Sequence, residues 1–134
     1  MAASKHDFTI EQGSSFKFAI TYKDSNGDPI NITDWCARLT WKTNKNIVQI
    51  FNSGNIDTSI YKFTIDGANG KLELLFPSAT TNDFDFSTAK YDLELQSNND
   101  HYTGGGKYTI RLLFGTISIQ ERFSKSDTAL GCNT

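Results

Sequence analysis

The sequence predicts an all-β protein, an antiparallel sandwich or small barrel of about six to eight short strands. Three observations predict it. Apolar and polar residues alternate along most of the chain, turn-forming residues separate the alternating runs, and no segment carries a sustained apolar stripe with the period of a helix. The 134 residues suffice for one domain with a core of its own.

The alternating runs mark the strands in chain order. Side chains of a strand point alternately to its two faces, so the apolar residues are predicted to face the core and their polar neighbours to face solvent. The apolar faces are Phe16, Phe18, Ile20 and Tyr22; Trp35, Ala37, Leu39 and Trp41; Tyr61, Phe63 and Ile65; Leu72, Leu74 and Phe76; Tyr91, Leu93 and Leu95; and Tyr108, Ile110, Leu112 and Phe114.

Three glycine-containing polar stretches, "DSNGDP", "DGANG" and "NNDHYTGGG", separate these runs. Glycine and asparagine adopt positive φ at little cost, so each stretch predicts a chain reversal. Residues 77–87 break the alternation and are predicted to form an irregular crossover with one helical turn. Within it, Phe84 and Phe86 are expected to close the open end of the sandwich; the alternative is that they lie exposed as anchors for a partner.

Two residues near the end of the pattern predict special roles. Tyr91 opens a strand directly after the crossover, where its hydroxyl can bond to backbone, although a plain core tyrosine remains an equal alternative. At Gly115 the apolar positions change from even to odd numbers, as Ile117 and Ile119 indicate. A glycine at such a change predicts a β-bulge or tight bend, and the alternative is a true turn between two strands.

Composition excludes several classes of partner. The 13 basic and 15 acidic residues nearly cancel and are scattered, so nucleic acid is not an expected partner. No apolar run is long enough to span a bilayer and the start lacks a secretion signal, which predicts a soluble protein made in a cytoplasm. Cys36 and Cys132 have no paired spacing and are expected to be free thiols.

A calcium loop is suggested, and then rejected, by the stretch after the first long run. Asp24, Asn26 and Asp28 occupy the first, third and fifth places of an EF-hand loop. The sixth place requires glycine but holds Pro29, and the twelfth requires glutamate but holds Trp35. The sequence therefore favours a chain reversal between two strands over an ion site.

No catalytic, cofactor-binding or metal residue is predicted. His6 and His101 each neighbour an aspartate but lack a nucleophile or a second ligand, and are expected to be solvated. Gly104–Lys107 lacks the spacing of a phosphate loop and is expected to be a flexible hairpin tip. Trp35 and Trp41 are predicted to lie in the core, with a sugar-stacking platform as the alternative. The protein is accordingly not expected to be an enzyme or to carry a cofactor.

Four segments together resemble a family of small virion proteins of tailed bacteriophages. They are "FTIEQGSSFKFAITYKDSNGDPINITDWCARLTWK", "GKLELLFPSATTNDF", "KYDLELQS" and "IRLLFGTISIQERFS", and they cover about residues 8–123. The family pattern has an "EQG" strand, a "KDxxGxPxxLTGxxARxxxR" segment, "G.i.l..ps..T", "YDLEL" and a closing "LL.G.i.v..e.T". This chain departs from the pattern at Ile32, Asp34 and Lys42, where leucine, glycine and arginine are usual.

The resemblance implies an immunoglobulin-like antiparallel β-sandwich of about seven strands that serves as a structural or adaptor part of the phage tail, baseplate or fibre attachment. Its partners would be other virion proteins, in multiple copies, without nucleic acid, membrane or small-molecule substrate, and it would reside in the virion. A capsid decoration protein and a carbohydrate-binding sandwich are the alternatives. The domain layout expected is an N-terminal arm over 1–5, the sandwich over 6–123 and a flexible tail over 124–134.

Overall fold

The computed structural model describes residues 4–54, 59–102 and 106–121, with the backbone alone for 98–102 and 106–108. Strands dominate the described chain, which confirms the predicted all-β class. The elements are β1 (Ser4–Lys5), β2 (Phe8–Glu11), β3 (Phe16–Thr21), β4 (Cys36–Thr43), β5 (Val48–Asn52), β6 (Lys62–Asp66), a 3₁₀ turn (Gly67–Asn69), β7 (Lys71–Phe76), α1 (Ser78–Asn82), β8 (Thr88–Tyr102) and β9 (Gly106–Gln120).

The strands form two facing sheets. One follows the order β1-β9-β8-β4-β5, with β2 also paired to β9, and the other follows β3-β7-β6. This is the strand order of an immunoglobulin-like sandwich, with β9, β8, β4 and β5 opposite β3, β7 and β6. Two features differ from expectation: β1 and β2 pair with β9 in parallel, and β5 is a strand that the alternation did not predict.

The core is built around Trp41 on β4, which is 1% exposed. Its ring meets Phe51, Phe84 and Phe86 edge to face, with centroid separations of 4.6, 5.3 and 5.4 Å, and meets Phe76 at 5.7 Å. Edge-to-face contacts add stabilisation beyond the buried area. Both sheets and the crossover therefore converge on one tryptophan, and the predicted core role of Trp41 is confirmed.

The crossover between β7 and β8 contains the expected helical turn, α1. Phe84 and Phe86 are 8% and 6% exposed, which confirms that they close the end of the sandwich. The fully buried Thr81 hydroxyl donates to the carbonyl oxygen of Ser14 (2.7 Å), and the Gln12 amide donates to that of Phe84 (3.0 Å). Side-chain bonds to backbone thus hold an irregular segment that has few ladder bonds of its own.

The predicted break in pleat phase lies within β9, but not at Gly115. Leu93 pairs with Leu113, whereas the next residue, Glu94, pairs with Arg111, so Leu112 is the extra residue of a β-bulge. Leu112 and Leu113 are both buried as a result. A continuous strand is confirmed over the alternative of a turn, and the position assigned to the bulge is corrected by three residues.

Candidate functional site

The Asp24 stretch forms a compact chain reversal. One carboxylate oxygen of Asp24, Oδ1, accepts the backbone N–H groups of Asn26 (2.9 Å) and Asp28 (3.0 Å), and Gly27 has φ +84°. Lys23 and Pro29 form an isolated antiparallel bridge that closes the loop. The predicted reversal is confirmed. It does not join two paired strands, because β3 and β4 lie in different sheets.

The segment around His6 is bonded to both β9 and β8. The His6 carbonyl oxygen accepts the Tyr91 hydroxyl (2.6 Å), and Asp7 Oδ1 accepts the Thr116 N–H (2.8 Å). Of the two alternatives for Tyr91, the structure therefore has the hydroxyl bond to backbone. Burial raises the pKa of the Tyr91 phenol to about 12, and the Asp7 carboxylate adds to the shift.

The His6 ring is exposed, as expected, yet it also packs on aromatic neighbours. Its centroid lies 5.9 Å from that of Phe8 and 6.0 Å from that of Phe18. Asp7, the aspartate next to it in sequence, bonds to backbone N–H instead of the imidazole. The pair therefore serves local structure, and its geometry does not form a His-Asp couple.

Other candidates from the sequence are placed only in part. Cys36 is an exposed free thiol on β4. The residues whose side chains are described do not include His101, Gly104–Lys107, Cys132 or the predicted tail 124–134. Lys5 and Ser4 of the predicted N-terminal arm pair with β9.

The two tryptophans differ in exposure. Trp41 is enclosed by phenylalanine rings and donates its Nε1–H to Gln49 Oε1 (2.7 Å). Trp35 is half-buried and packs against the core. A sugar platform needs an open aromatic face, and Trp41 does not present one.

The outer face of the larger sheet carries paired charges. Arg38 donates to Glu94 (2.8 Å), and this hydrogen bond, with the Glu94 charge, raises the pKa of Arg38. Arg111 lies 3.8 Å from Asp92 and stacks over the Phe114 ring at 4.7 Å. Neighbouring charges of opposite sign cancel along this face, so it has no strong field of one sign.

Most of the exposed large apolar side chains in the described residues lie on or directly before β5. In the described part of the chain, the large apolar residues left open to solvent are Ile47 (48%), Val48 (58%), Ile50 (55%) and Ile60 (48%). Ile47, Val48 and Ile50 form what we call the β5 edge. A groove of about 370 Å³ lies beside it, lined by Phe51, Ile60 and Phe84 among others. Apolar side chains exposed on an outer strand make β5 a candidate interaction site.

The described residues hold no group of three or more histidine, cysteine, aspartate or glutamate side chains suited to a metal ion. Within those same residues, no helix has the length and apolar character to span a bilayer. Comparison with protein-family models and with characterised proteins finds no match for this chain.

Proposed function

We propose that this protein is a non-enzymatic structural component of a tailed bacteriophage particle. It acts as an adaptor module in the tail, baseplate or fibre-attachment region, and its partners are neighbouring virion proteins. The support is the resemblance of its sequence to small virion proteins of tailed phages, taken together with one feature of the backbone.

That feature is the fit between the glycines of the family pattern and the conformations this chain adopts. Left-handed backbone is cheap for glycine and costly for most residues. The glycines of the "EQG", "KDxxGxP" and "G.i.l" motifs correspond to three positions of this chain with φ near +60° to +85°. The "LTG" glycine corresponds to a fourth position with such a φ. The "LL.G" glycine corresponds to a position that packs against backbone. The positions are Gly13 (φ +83°), Gly27 (φ +84°), Gly70 (φ +64°), Asp34 (φ +66°) and Gly115.

At the last of these positions a side chain would clash with backbone unless the neighbouring segment moved. A Cβ on Gly115 would lie 2.2 Å from the His6 carbonyl oxygen. The family pattern thus places its glycines where a side chain would be strained or crowded, and Asp34, where this chain departs from the pattern, has the same left-handed backbone. Agreement at all these positions supports the resemblance more strongly than apolar alternation does, because alternation is common to many sandwiches.

An adaptor needs a folded body with exposed surfaces, and the sandwich is consistent with that requirement. The sandwich encloses an aromatic core, while loops, the outer face of the larger sheet and the β5 edge remain available to partners. Sheet edges bind extended segments through main-chain hydrogen bonds, a mode common in assembled particles.

The experiment is quantitative mass spectrometry of purified particles of the phage that encodes this chain, with tails and capsids separated beforehand. Peptides from this protein are expected in the tail fraction at a fixed ratio to a major tail protein. Recovery in capsids alone would replace the adaptor role by that of a decoration protein, and absence from both fractions would contradict a virion role. As a control for adsorption, the purified protein is added to finished particles that lack it.

A further inference from the structure

We propose that the β5 edge pairs two copies of this chain, antiparallel and edge to edge, about a two-fold axis at Gln49. β5 is an outer strand of the larger sheet, where an added strand can bond to open backbone. The inference goes beyond the virion role, because it concerns association of the free protein and stands whether or not that role holds.

The β4–β5 ladder decides which backbone groups of β5 face outward. Thr43 N–H donates to the carbonyl oxygen of Ile47 (2.9 Å), and Ser53 N–H donates to that of Ala37 (2.9 Å). In an antiparallel ladder, residues with inward and outward backbone groups alternate. Odd-numbered positions of β5 therefore bond to β4, and even-numbered positions direct their N–H and C=O groups to solvent.

Only part of this outward row is open. The Tyr61 hydroxyl accepts the Asn52 N–H (3.1 Å) and lies 3.4 Å from the Asn52 carbonyl oxygen, so Asn52 is already engaged. None of the described residues bonds to the outward groups of Val48 or Ile50. An added strand therefore meets two receptive residues, two positions apart.

A second copy matches this arrangement in one register. With the two-fold axis at Gln49, Val48 of each copy lies opposite Ile50 of the other, and each such pair exchanges both backbone hydrogen bonds. Every open group of both strands is then satisfied. Moving the axis to Ile50 would place Val48 opposite Asn52, whose groups Tyr61 occupies, so fewer bonds would form.

The side chains of β5 also favour pairing with the same strand of a second copy. Val48 and Ile50 project from the same face, and β-branched pairs pack well across antiparallel strands. Charged residues normally protect sheet edges from such pairing. Among the edge strands that the structure describes, β5 has no charged residue, whereas the others carry Lys5 (β1), Glu11 (β2), Lys17 (β3), and Lys62 and Asp66 (β6).

The contact is short and buries less than a standard stable interface, so the dimer should be weak and dependent on concentration. Sedimentation of the full chain from low micromolar to near-millimolar concentration should show the average mass rising from 15.0 kDa toward twice that value. Ile50→Lys should weaken association at least about tenfold, because like charges would approach across the axis. Thr64→Lys, at an exposed position of β6, is the matched control and should associate as the unmodified chain does.

A disulfide tests the register. In a Cys36→Ser/Cys132→Ser background, Gln49→Cys places two thiols at a non-hydrogen-bonded pair with Cα atoms about 4.5 Å apart, within reach of a disulfide. Covalent dimers should form on oxidation, and should not form with Thr64→Cys. Thermal melts check that each variant is folded.

Three outcomes would overturn the proposal. One is a chain that stays monomeric at every concentration, and another is equal association of the Ile50→Lys and unmodified chains. The third is protection of the Val48 and Ile50 amides from hydrogen exchange that does not change with concentration, because another segment of the same chain would then cover the edge.

Discussion

The hydroxyl of Tyr91 and the backbone carbonyl of His6 are joined by a 2.6 Å hydrogen bond between residues 85 positions apart in sequence. Tyr91 lies on β8, inside the larger sheet, and His6 lies between the two short strands at its margin. The bond works with the His6 N–H to Phe114 contact (2.8 Å) to hold the N-terminal segment against β9. A buried polar group that anchors a sheet margin in this way should contribute measurably to stability.

Tyr91→Phe tests that contribution. The substitution keeps the ring in the core and leaves the His6 carbonyl without its donor, so the free energy of unfolding should fall by about 1–3 kcal/mol. Urea titration gives the value, and hydrogen exchange at the His6 amide reports whether the N-terminal segment loosens. An unchanged stability would mean that water replaces the hydroxyl without loss.

The same tyrosine predicts a dependence on alkaline pH. Its pKa in the folded state is about 12 against an ordinary value of 10.0, because burial and Asp7 disfavour the phenolate. The folded chain therefore holds this proton more tightly than the unfolded chain. The contribution is complete below pH 10.0 and is lost as pH rises toward about 12. The stability gap between the unmodified chain and Tyr91→Phe should narrow over that interval, and a constant gap would contradict the assignment.

Neighbouring residues on β8 should differ sharply in their effect on stability. Leu93 is 1% exposed, so Leu93→Ala should lower the free energy of unfolding by about 2–5 kcal/mol through lost burial and a cavity. Glu94 faces solvent and pairs with Arg38, so Glu94→Ala should cost no more than about 1 kcal/mol. Thermal melts of both variants decide the point, and equal losses would contradict the facing of this strand.

Alternation of apolar and polar residues predicted the strands in which one face is buried. It failed for the strand whose two faces are similarly apolar. Alternation located β3, β4, β6, β7, β8 and β9. It missed β5 because "IVQIF" has apolar residues at odd and even positions, with Phe51 in the core and Val48 and Ile50 exposed. The bulge was misplaced for a related reason. The stretch "LLF" has no polar residue that shows where the alternation changes phase, so the bulge was assigned to the nearby glycine.

Contacts between residues far apart in sequence could not be predicted from the local alternation of apolar and polar residues. Parallel pairing of β2 with β9 joins the two ends of the described chain, and alternation within either strand contains no information about it. A hydroxyl bond from Tyr91 to backbone was one of two equal alternatives, and its acceptor was not predicted, because His6 is brought there only by that pairing. The β5 edge was not predicted either, because the strand that carries it was not predicted.

Gly115 has a different role from the one that sequence suggested, and Gly115→Ala tests it. A Cβ would lie 2.2 Å from the His6 carbonyl oxygen, so the N-terminal segment would have to move away from β9. We expect a loss of about 1–3 kcal/mol in the free energy of unfolding, with increased hydrogen exchange at the His6 amide. Gly54→Ala is the control, since among the described residues its Cβ would meet only Asn52 Oδ1, at 3.5 Å. This substitution should change stability by less than about 0.5 kcal/mol.

Asp34 is a residue that the backbone tolerates at a cost, and Asp34→Gly should therefore stabilise the fold. Its φ of +66° lies in the left-handed region, which an L side chain occupies under strain. Relief of that strain should exceed the added entropy of the unfolded chain and raise the free energy of unfolding by about 0.5–1 kcal/mol. Asp83, with φ −85°, has no such strain, so Asp83→Gly should lower the same quantity by about 0.5–1 kcal/mol. Paired urea titrations measure both, and a loss of stability in both variants would show that the left-handed conformation of Asp34 carries no strain for glycine to relieve.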